Sequence, residues 1–266
     1  MKDAGSIVSK VPAVTLGFWV IKILATTLGE TGGDSVTMSW LGETTAAANP
    51  NGYLIGTGIF ATVLGALVAI QIVARKFHPF LYWATIVAST TAGTTLADFF
   101  DRSLGIGYTG GTSALLFCVL ASLAAWYAVE GTVQVETVNK PRVELFYWIT
   151  ITFSQTLGTA LGDWTADTSG LGYLGGAGLF VAALGLVAII YSTTNISRVA
   201  LFWLAFILTR PLGATVGDFL DKPFNHGGLN ISRPIASAIM AVVIVVLILI
   251  LPQRPGEHPS AATATG

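Results

Sequence analysis

Charge is what this sequence has least of. Only 10% of its 266 residues are Asp, Glu, Lys or Arg, while 53% are hydrophobic; a soluble domain carries roughly 25% charged residues. So few charges cannot keep so much apolar surface in water, but lipid tolerates it. The net charge of −1 supplies no polycationic face and argues against nucleic acid as a partner. Cys118 is the single cysteine, so neither an internal disulfide nor a CxxC metal or redox motif is possible, and the residue reads as packing. The three histidines, His78, His226 and His258, share no metal-ligand spacing. Walker loops, zinc-protease motifs and Ser–His–acid arrangements are missing as well, and no enzymatic activity is expected. Met1 to Pro12 lacks the apolar core of a signal peptide, so the first span is expected to be retained.

Long apolar runs are what the sequence does have. Ile55 to Ala74, Gly172 to Tyr191 and Ile235 to Leu251 each approach the ~20 residues that cross a bilayer. A fourfold internal repeat runs through the chain. The pairs Phe18-Trp19, Tyr82-Trp83, Tyr147-Trp148 and Phe202-Trp203 are each followed, fifteen residues after the Trp, by Asp34, Asp98, Asp163 and Asp218. Fifteen helical residues span about 22 Å, and Trp favours the lipid–water interface. Each odd-numbered helix is therefore expected to run from a Trp interface to an Asp end, with a glycine-rich turn and a more apolar return helix.

The expected fold is an all-α integral membrane protein. It has eight transmembrane helices, arranged as four parallel helical-hairpin repeats around a pseudo-symmetric axis. The spans are approximately 13–33, 53–74, 80–98, 110–129, 145–163, 173–194, 199–218 and 233–251. They form one domain, 1–251, with repeats at about 11–76, 77–140, 141–196 and 197–251; the tail 252–266, rich in Pro, Ala, Thr and Gly, is expected to be disordered. Lys2, Lys10, Arg75, Lys76, Lys140, Arg142, Arg198 and Arg254 fall on the side of the termini, against Arg102, Lys222 and Arg233 on the other. Both termini are therefore expected in the cytoplasm.

The outward ends collect Glu30, Asp34, Glu43, Asp98, Asp101, Asp163, Asp167, Asp218 and Asp221. Packed around a common axis, the four repeated aspartates would converge. A second carboxylate nearby (Asp101, Asp167, Asp221, or Glu30 one turn earlier) would suit a hard divalent cation. The alternative is a structural role bonding local N–H groups. That alternative must answer for an acid at the wrong end of the helix dipole, and Arg102 or Lys222 could compensate. Eight residues before each aspartate lie Thr26, Thr90, Gln155 and Arg210, two turns back on the same face. They read either as a pathway lining or as interhelical hydrogen bonds. Glu30 and Arg210 are intramembrane charges expected to pair across the bundle. Lys22 is a third such charge, which either belongs to this stripe or snorkels to the nearby interface. The small-xxx-small pairs Gly29/Gly33, Gly93/Ala97, Gly158/Gly162 and Gly213/Gly217 predict close helix packing; unwinding near Gly32-Gly33 is the alternative.

The run Gly17-Phe18-Trp19-Val20-Ile21-Lys22-Ile23-Leu24-Ala25-Thr26-Thr27-Leu28-Gly29-Glu30-Thr31-Gly32-Gly33-Asp34, with its three echoes, resembles a bacterial family of uncharacterised multi-pass membrane-anchored proteins built from a repeat of unknown function. The resemblance extends from about Val11 to Leu251 and implies a bacterial inner-membrane location. Glu30 to Asp34 also resembles, with one extra residue, the Glu-x-Gly-Asp signature of cation exporters. The function expected first is transport of a small cation, with a divalent metal such as manganese as a candidate. It would use Glu30, Asp34, Asp98, Asp163 and Asp218, with Thr26, Thr90, Gln155, Arg210 and Lys22 along the path. A bound divalent cation held by the acids is the one cofactor this reading would bring. The alternatives are a proton-coupled transporter of a small organic solute and a non-transporting scaffold or sensor. The expected partners are the lipid bilayer and the small cation or solute, with homo-oligomers left open.

Overall fold

The computed structural model describes residues 6–42 and 51–259; Lys2, Glu43 and the tail beyond Pro259 lie outside the described residues. Eight helices are found there: α1 (Leu16–Asp34), α2 (Gly52–Val73), α3 (Pro79–Asp98), α4 (Gly107–Glu130), α5 (Pro141–Asp163), α6 (Gly172–Thr193), α7 (Arg198–Asp221) and α8 (Arg233–Ile250). The expected spans match these to within about one turn. Local chemistry sets the starts. The Thr15 hydroxyl accepts the Phe18 N–H at the head of α1, the Ser197 hydroxyl accepts the Ala200 N–H at α7, and prolines open α3, α5 and α8.

Five helices, α2, α4, α6, α7 and α8, are long and apolar enough to cross a membrane. The other three, α1, α3 and α5, carry the polar stripe and turn it inward. The odd-numbered helices form a closed ring in which α1 meets α3, α3 meets α5, α5 meets α7 and α7 meets α1. The even-numbered helices lie outside it. Each packs principally on the odd helix that follows it, α2 on α3, α4 on α5 and α6 on α7, and α8 returns to α1. The hairpin mates of the sequence are thus not the principal packed pairs. The small residues explain the closeness of the ring. Gly29, Gly93, Gly158 and Gly213 are met across it by Thr90, Gln155, Arg210 and Thr26 in turn. At Gly93 a Cβ atom would come within 2.9 Å of the Gln155–Thr156 backbone, so only glycine permits that approach.

The helices α1, α3 and α5 end at Asp34, Asp98 and Asp163, where π-helical turns, Ser35–Trp40, Phe99–Ser103 and Trp164–Thr168, take over, whereas α7 runs past Asp218 to Asp221. The backbone is helical through Gly32 and Gly33, so no unwinding occurs there. The tail is not irregular from Pro252, because Pro255–Pro259 (β2) pairs antiparallel with Ser6–Pro12 (β1). This ribbon lies against the turn Val135–Thr137, where the Ser9 hydroxyl donates to Val135 O at 2.7 Å. It is pinned by Lys10, whose ammonium lies 2.6 Å from buried Glu144 and donates to the Gln71 and Ile72 carbonyls.

The aromatic–Trp pairs form a layer between helices. Phe18 touches Trp83, Tyr82 touches Trp148, Tyr147 touches Trp203 and Phe202 touches Trp19, so the contact passes around the whole ring. Trp83, Trp148 and Trp203 are buried. The interfacial-anchor expectation therefore gives way, because the rings are worth more packed against one another. Two of their polar edges reach adjoining segments: Trp83 Nε1 donates to Gln253 and Trp203 Nε1 to Val133 O, while Trp148 Nε1 finds no acceptor among the described residues.

Candidate functional site

Inside the ring, positions four residues apart on each inner helix stack into layers along its axis. Next to the aromatics come Lys22, Ile86, Ile151 and Phe206, all fully buried. The choice left open for Lys22 falls against snorkelling: its ammonium sits 4.2 Å from the Phe206 ring centroid and 3.5 Å from Gln155 Oε1.

The following layer is Thr26, Thr90, Gln155 and Arg210, also fully buried. Thr26 spends its hydroxyl on the Ile23 and Thr209 carbonyls. Arg210 reaches toward the next layer, where Glu30, Thr94, Thr159 and Ala214 meet. Its Nη2 donates to Glu30 Oε2 at 2.9 Å and to the Thr94 and Thr159 hydroxyls. Those hydroxyls lie 3.3 and 3.4 Å from the same carboxylate oxygen. The pair anticipated between Glu30 and Arg210 is thus the centre of a four-helix polar knot, with one participant from each inner helix. Pro211 sits inside α7 beside it, where the helix lacks one backbone donor.

Asp34, Asp98, Asp163 and Asp218 form the next layer, all buried. Basic side chains from one turn further on stitch them together. Arg102 lies 3.1 Å from both Asp98 and Asp163, and also donates to the Tyr53 hydroxyl. Lys222 lies 2.9 Å from both Asp34 and Asp218. Arg233, at the head of α8, comes within 3.3 Å of Asp221 and 3.9 Å of Asp34. Burial works against the Lys222 ammonium, but Asp218, Asp34 and Asp221 outweigh it and hold the pKa well above the ordinary lysine value. Asp101 is pushed up by burial, with Arg102 opposing.

The metal-ligand expectation meets a divided arrangement. Carboxylate oxygens of Glu30, Asp163 and Asp218 lie within 4.8 Å of one another, as do those of Asp34, Asp218 and Asp221. Such all-oxygen triads suit a hard cation. The same acids are already engaged by Arg210, Arg102, Lys222 and Arg233. Asp98 and Asp101 join neither triad, and Asp167 is exposed, accepting only from the Tyr108 hydroxyl. The sequence reading did not assign a role to Arg233 or Tyr53. Arg233 was visible as one of only three basic residues on the acidic side; Tyr53 carried no signal.

A ring of helices closed around a buried, ionisable core, surrounded by helices apolar enough to meet lipid, defines a membrane-type helical repeat protein. The stretches 17–77, 81–132, 146–197 and 201–253 match the family described as Repeat of Unknown Function (DUF347), and the chain belongs to that family. No curated protein and no solved structure matches it.

Proposed function

We propose that this chain is a bacterial inner-membrane carrier that couples proton movement to a small solute along the axis of its inner ring. In this reading all eight helices span the bilayer and both termini are cytoplasmic. The repeats are related by a pseudo-symmetric axis normal to the membrane. The observation that carries it is the buried polar column from Lys22 through Arg210 and Glu30 to the four aspartates. Ionisable groups at membrane depth are expensive and mark pathways. The outer end holds six carboxylates, Asp34, Asp98, Asp101, Asp163, Asp218 and Asp221, against three bases, Arg102, Lys222 and Arg233. One oxygen each of Asp34, Asp98 and Asp163, and both oxygens of Asp101, have no hydrogen-bond donor among the described residues, and Asp221 is met only by the Arg233 ion pair. A surplus of buried carboxylate is neutralised by protons or cations. The aromatic layer across the axis favours a carrier over an open channel.

The test is proteoliposomes holding a pH-sensitive dye under an imposed pH gradient, challenged in turn with Mn²⁺, Mg²⁺, Ca²⁺, formate, nitrate and chloride. One solute should collapse the gradient through the parent and not through Glu30→Gln. If none does, in vesicles shown to contain folded protein, the transport reading falls and the scaffold reading replaces it.

A second reading, carriage of a divalent cation, is favoured by the two carboxylate triads. It predicts that one of Mg²⁺, Ca²⁺, Mn²⁺, Co²⁺ or Zn²⁺ selectively raises the melting temperature, and that Asp34→Asn and Asp218→Asn abolish the rise. Absence of any selective ion effect rejects it.

A further inference from the structure

The middle of the bundle has the opposite imbalance from its outer end. Lys22 and Arg210 bring two positive charges into a region whose one carboxylate is Glu30, and that carboxylate is engaged by Arg210 Nη2. Lys22 has no acidic partner among the described residues, only the Gln155 amide oxygen at the limit of hydrogen bonding and the Phe206 ring. The surplus shows atom by atom. Arg210 Nε and Nη1 and Gln155 Nε2 find no acceptor among the described residues, although both side chains are fully buried. Thr90 Oγ1, in the same layer, is likewise unpartnered. Buried donors without acceptors are rare and call for an explanation.

Apart from the Thr90 hydroxyl, which can donate or accept, the unpartnered groups of this layer are donors. A water molecule would bring as many donors as acceptors and no charge, and a metal cation would add positive charge. A small anion brings only acceptors and a negative charge, and charge-assisted hydrogen bonds from a guanidinium and an ammonium are the strong ones. The fourfold repeat sharpens the point. At the positions equivalent to Lys22 the other inner helices carry Ile86, Ile151 and Phe206, and at those equivalent to Arg210 they carry Thr26, Thr90 and Gln155. The two bases thus break the repeat, and they do so in adjacent layers.

We propose that Lys22, Gln155 and Arg210 form a binding site for a small monovalent anion at the centre of the inner ring. The Gln155 oxygen accepts from Lys22, and in this site its amide hydrogens join Arg210 Nε and Nη1 in facing the anion. As the substrate of a carrier, this anion rests on the function proposed above; as a bound ligand, it does not.

The probes are sodium nitrate, formate and chloride, each compared with sodium gluconate at equal ionic strength. The readout is the melting temperature of the full chain in detergent, followed by tryptophan fluorescence. At least one small anion should raise the melting temperature saturably, by on the order of a few degrees, while gluconate, too large for the ring interior, should not. Lys22→Met and Gln155→Leu should lose the rise, and Lys22→Arg should keep it. Glu30→Gln should also keep it, since the acid only competes for Arg210, while losing proton coupling in vesicles. Anion binding without transport would therefore sink the carrier and leave the site standing. The site is overturned if the parent shows no small-anion effect up to 100 mM, on the order of a millimolar affinity. An equal rise in Lys22→Met and Gln155→Leu, which would place the effect at the surface, overturns it too.

Discussion

The inner and outer helices are similar in length, yet they solve opposite problems. On α2, α4, α6 and α8 the exposed side chains are mostly apolar, as at Leu54, Phe117, Leu186 and Val242, and few residues are buried. On α1, α3, α5 and α7 the buried side chains include a lysine, an arginine, two glutamates, five aspartates and many threonines. A bilayer cannot hydrogen-bond, so polar groups turn toward one another inside the ring and apolar groups face outward. Hydropathy alone therefore finds the four outer helices and α7 and passes over α1, α3 and α5. Those helices are recognised by a polar stripe repeating every four residues.

The sharpest way to test this division is to break the knot at its centre. Arg210→Met leaves Glu30 buried and unpaired, and should destabilise the fold by about 3–5 kcal/mol. Adding Glu30→Gln to that variant should recover much of the loss, because the orphaned charge is then removed. A denaturant titration of the parent, both single variants and the double variant gives the coupling between them. Independent, additive effects would mean that the pair does not act as a unit. By contrast, Leu186→Ala on the outer face of α6 exchanges one lipid contact for another and should change stability by about 0.5 kcal/mol or less.

Glycines offer a second contrast at smaller amplitude. A Cβ on Gly158 would overlap the Arg210 side chain, whereas Gly185 on α6 has nothing within 4 Å. Gly158→Ala should cost about 1–3 kcal/mol through overpacking. Gly185→Ala should be neutral or stabilising by up to about 1 kcal/mol through helix propensity. Equal melting temperatures for the two variants would contradict the close packing of α5 on α7.

Much of this arrangement was legible before any coordinates. The Trp-to-Asp spacing placed the helices, the small-xxx-small pairs marked the ring contacts, and Glu30 and Arg210 stood out because intramembrane charges seek each other. The rest depends on what spacing cannot encode. Which odd helix an even helix leans on is decided by the closure of the ring, not by chain connectivity. The tryptophans carried an interfacial signature, but each found an aromatic neighbour on the adjacent inner helix. The π-helical turns after Asp34, Asp98 and Asp163 have no distinctive composition. The pairing of β1 with β2 joins opposite ends of the chain through short, polar segments that carry no strand periodicity.

The smallest contrast concerns two acids that the sequence treats alike. Asp101 and Asp167 each follow a repeated aspartate by about one turn. Asp101 is buried against Gly111 with neither oxygen hydrogen-bonded among the described residues, while Asp167 is exposed. Burial raises the Asp101 pKa, with Arg102 opposing. An acid raised in the folded state binds its proton more tightly there than in the unfolded chain. Its contribution to stability is therefore fully present below the ordinary carboxylate value of about 4 and is lost as pH rises through the elevated value. Asp101→Asn keeps the neutral shape at every pH. The variant should melt higher than the parent at pH 7, and the advantage should vanish as pH falls toward about 4. Asp167→Asn, whose carboxylate is already in solvent, should track the parent throughout, within about 0.5 kcal/mol. If the two variants gave the same pH profile, the buried placement of Asp101, and with it the carboxylate surplus at the outer end of the axis, would have to be given up.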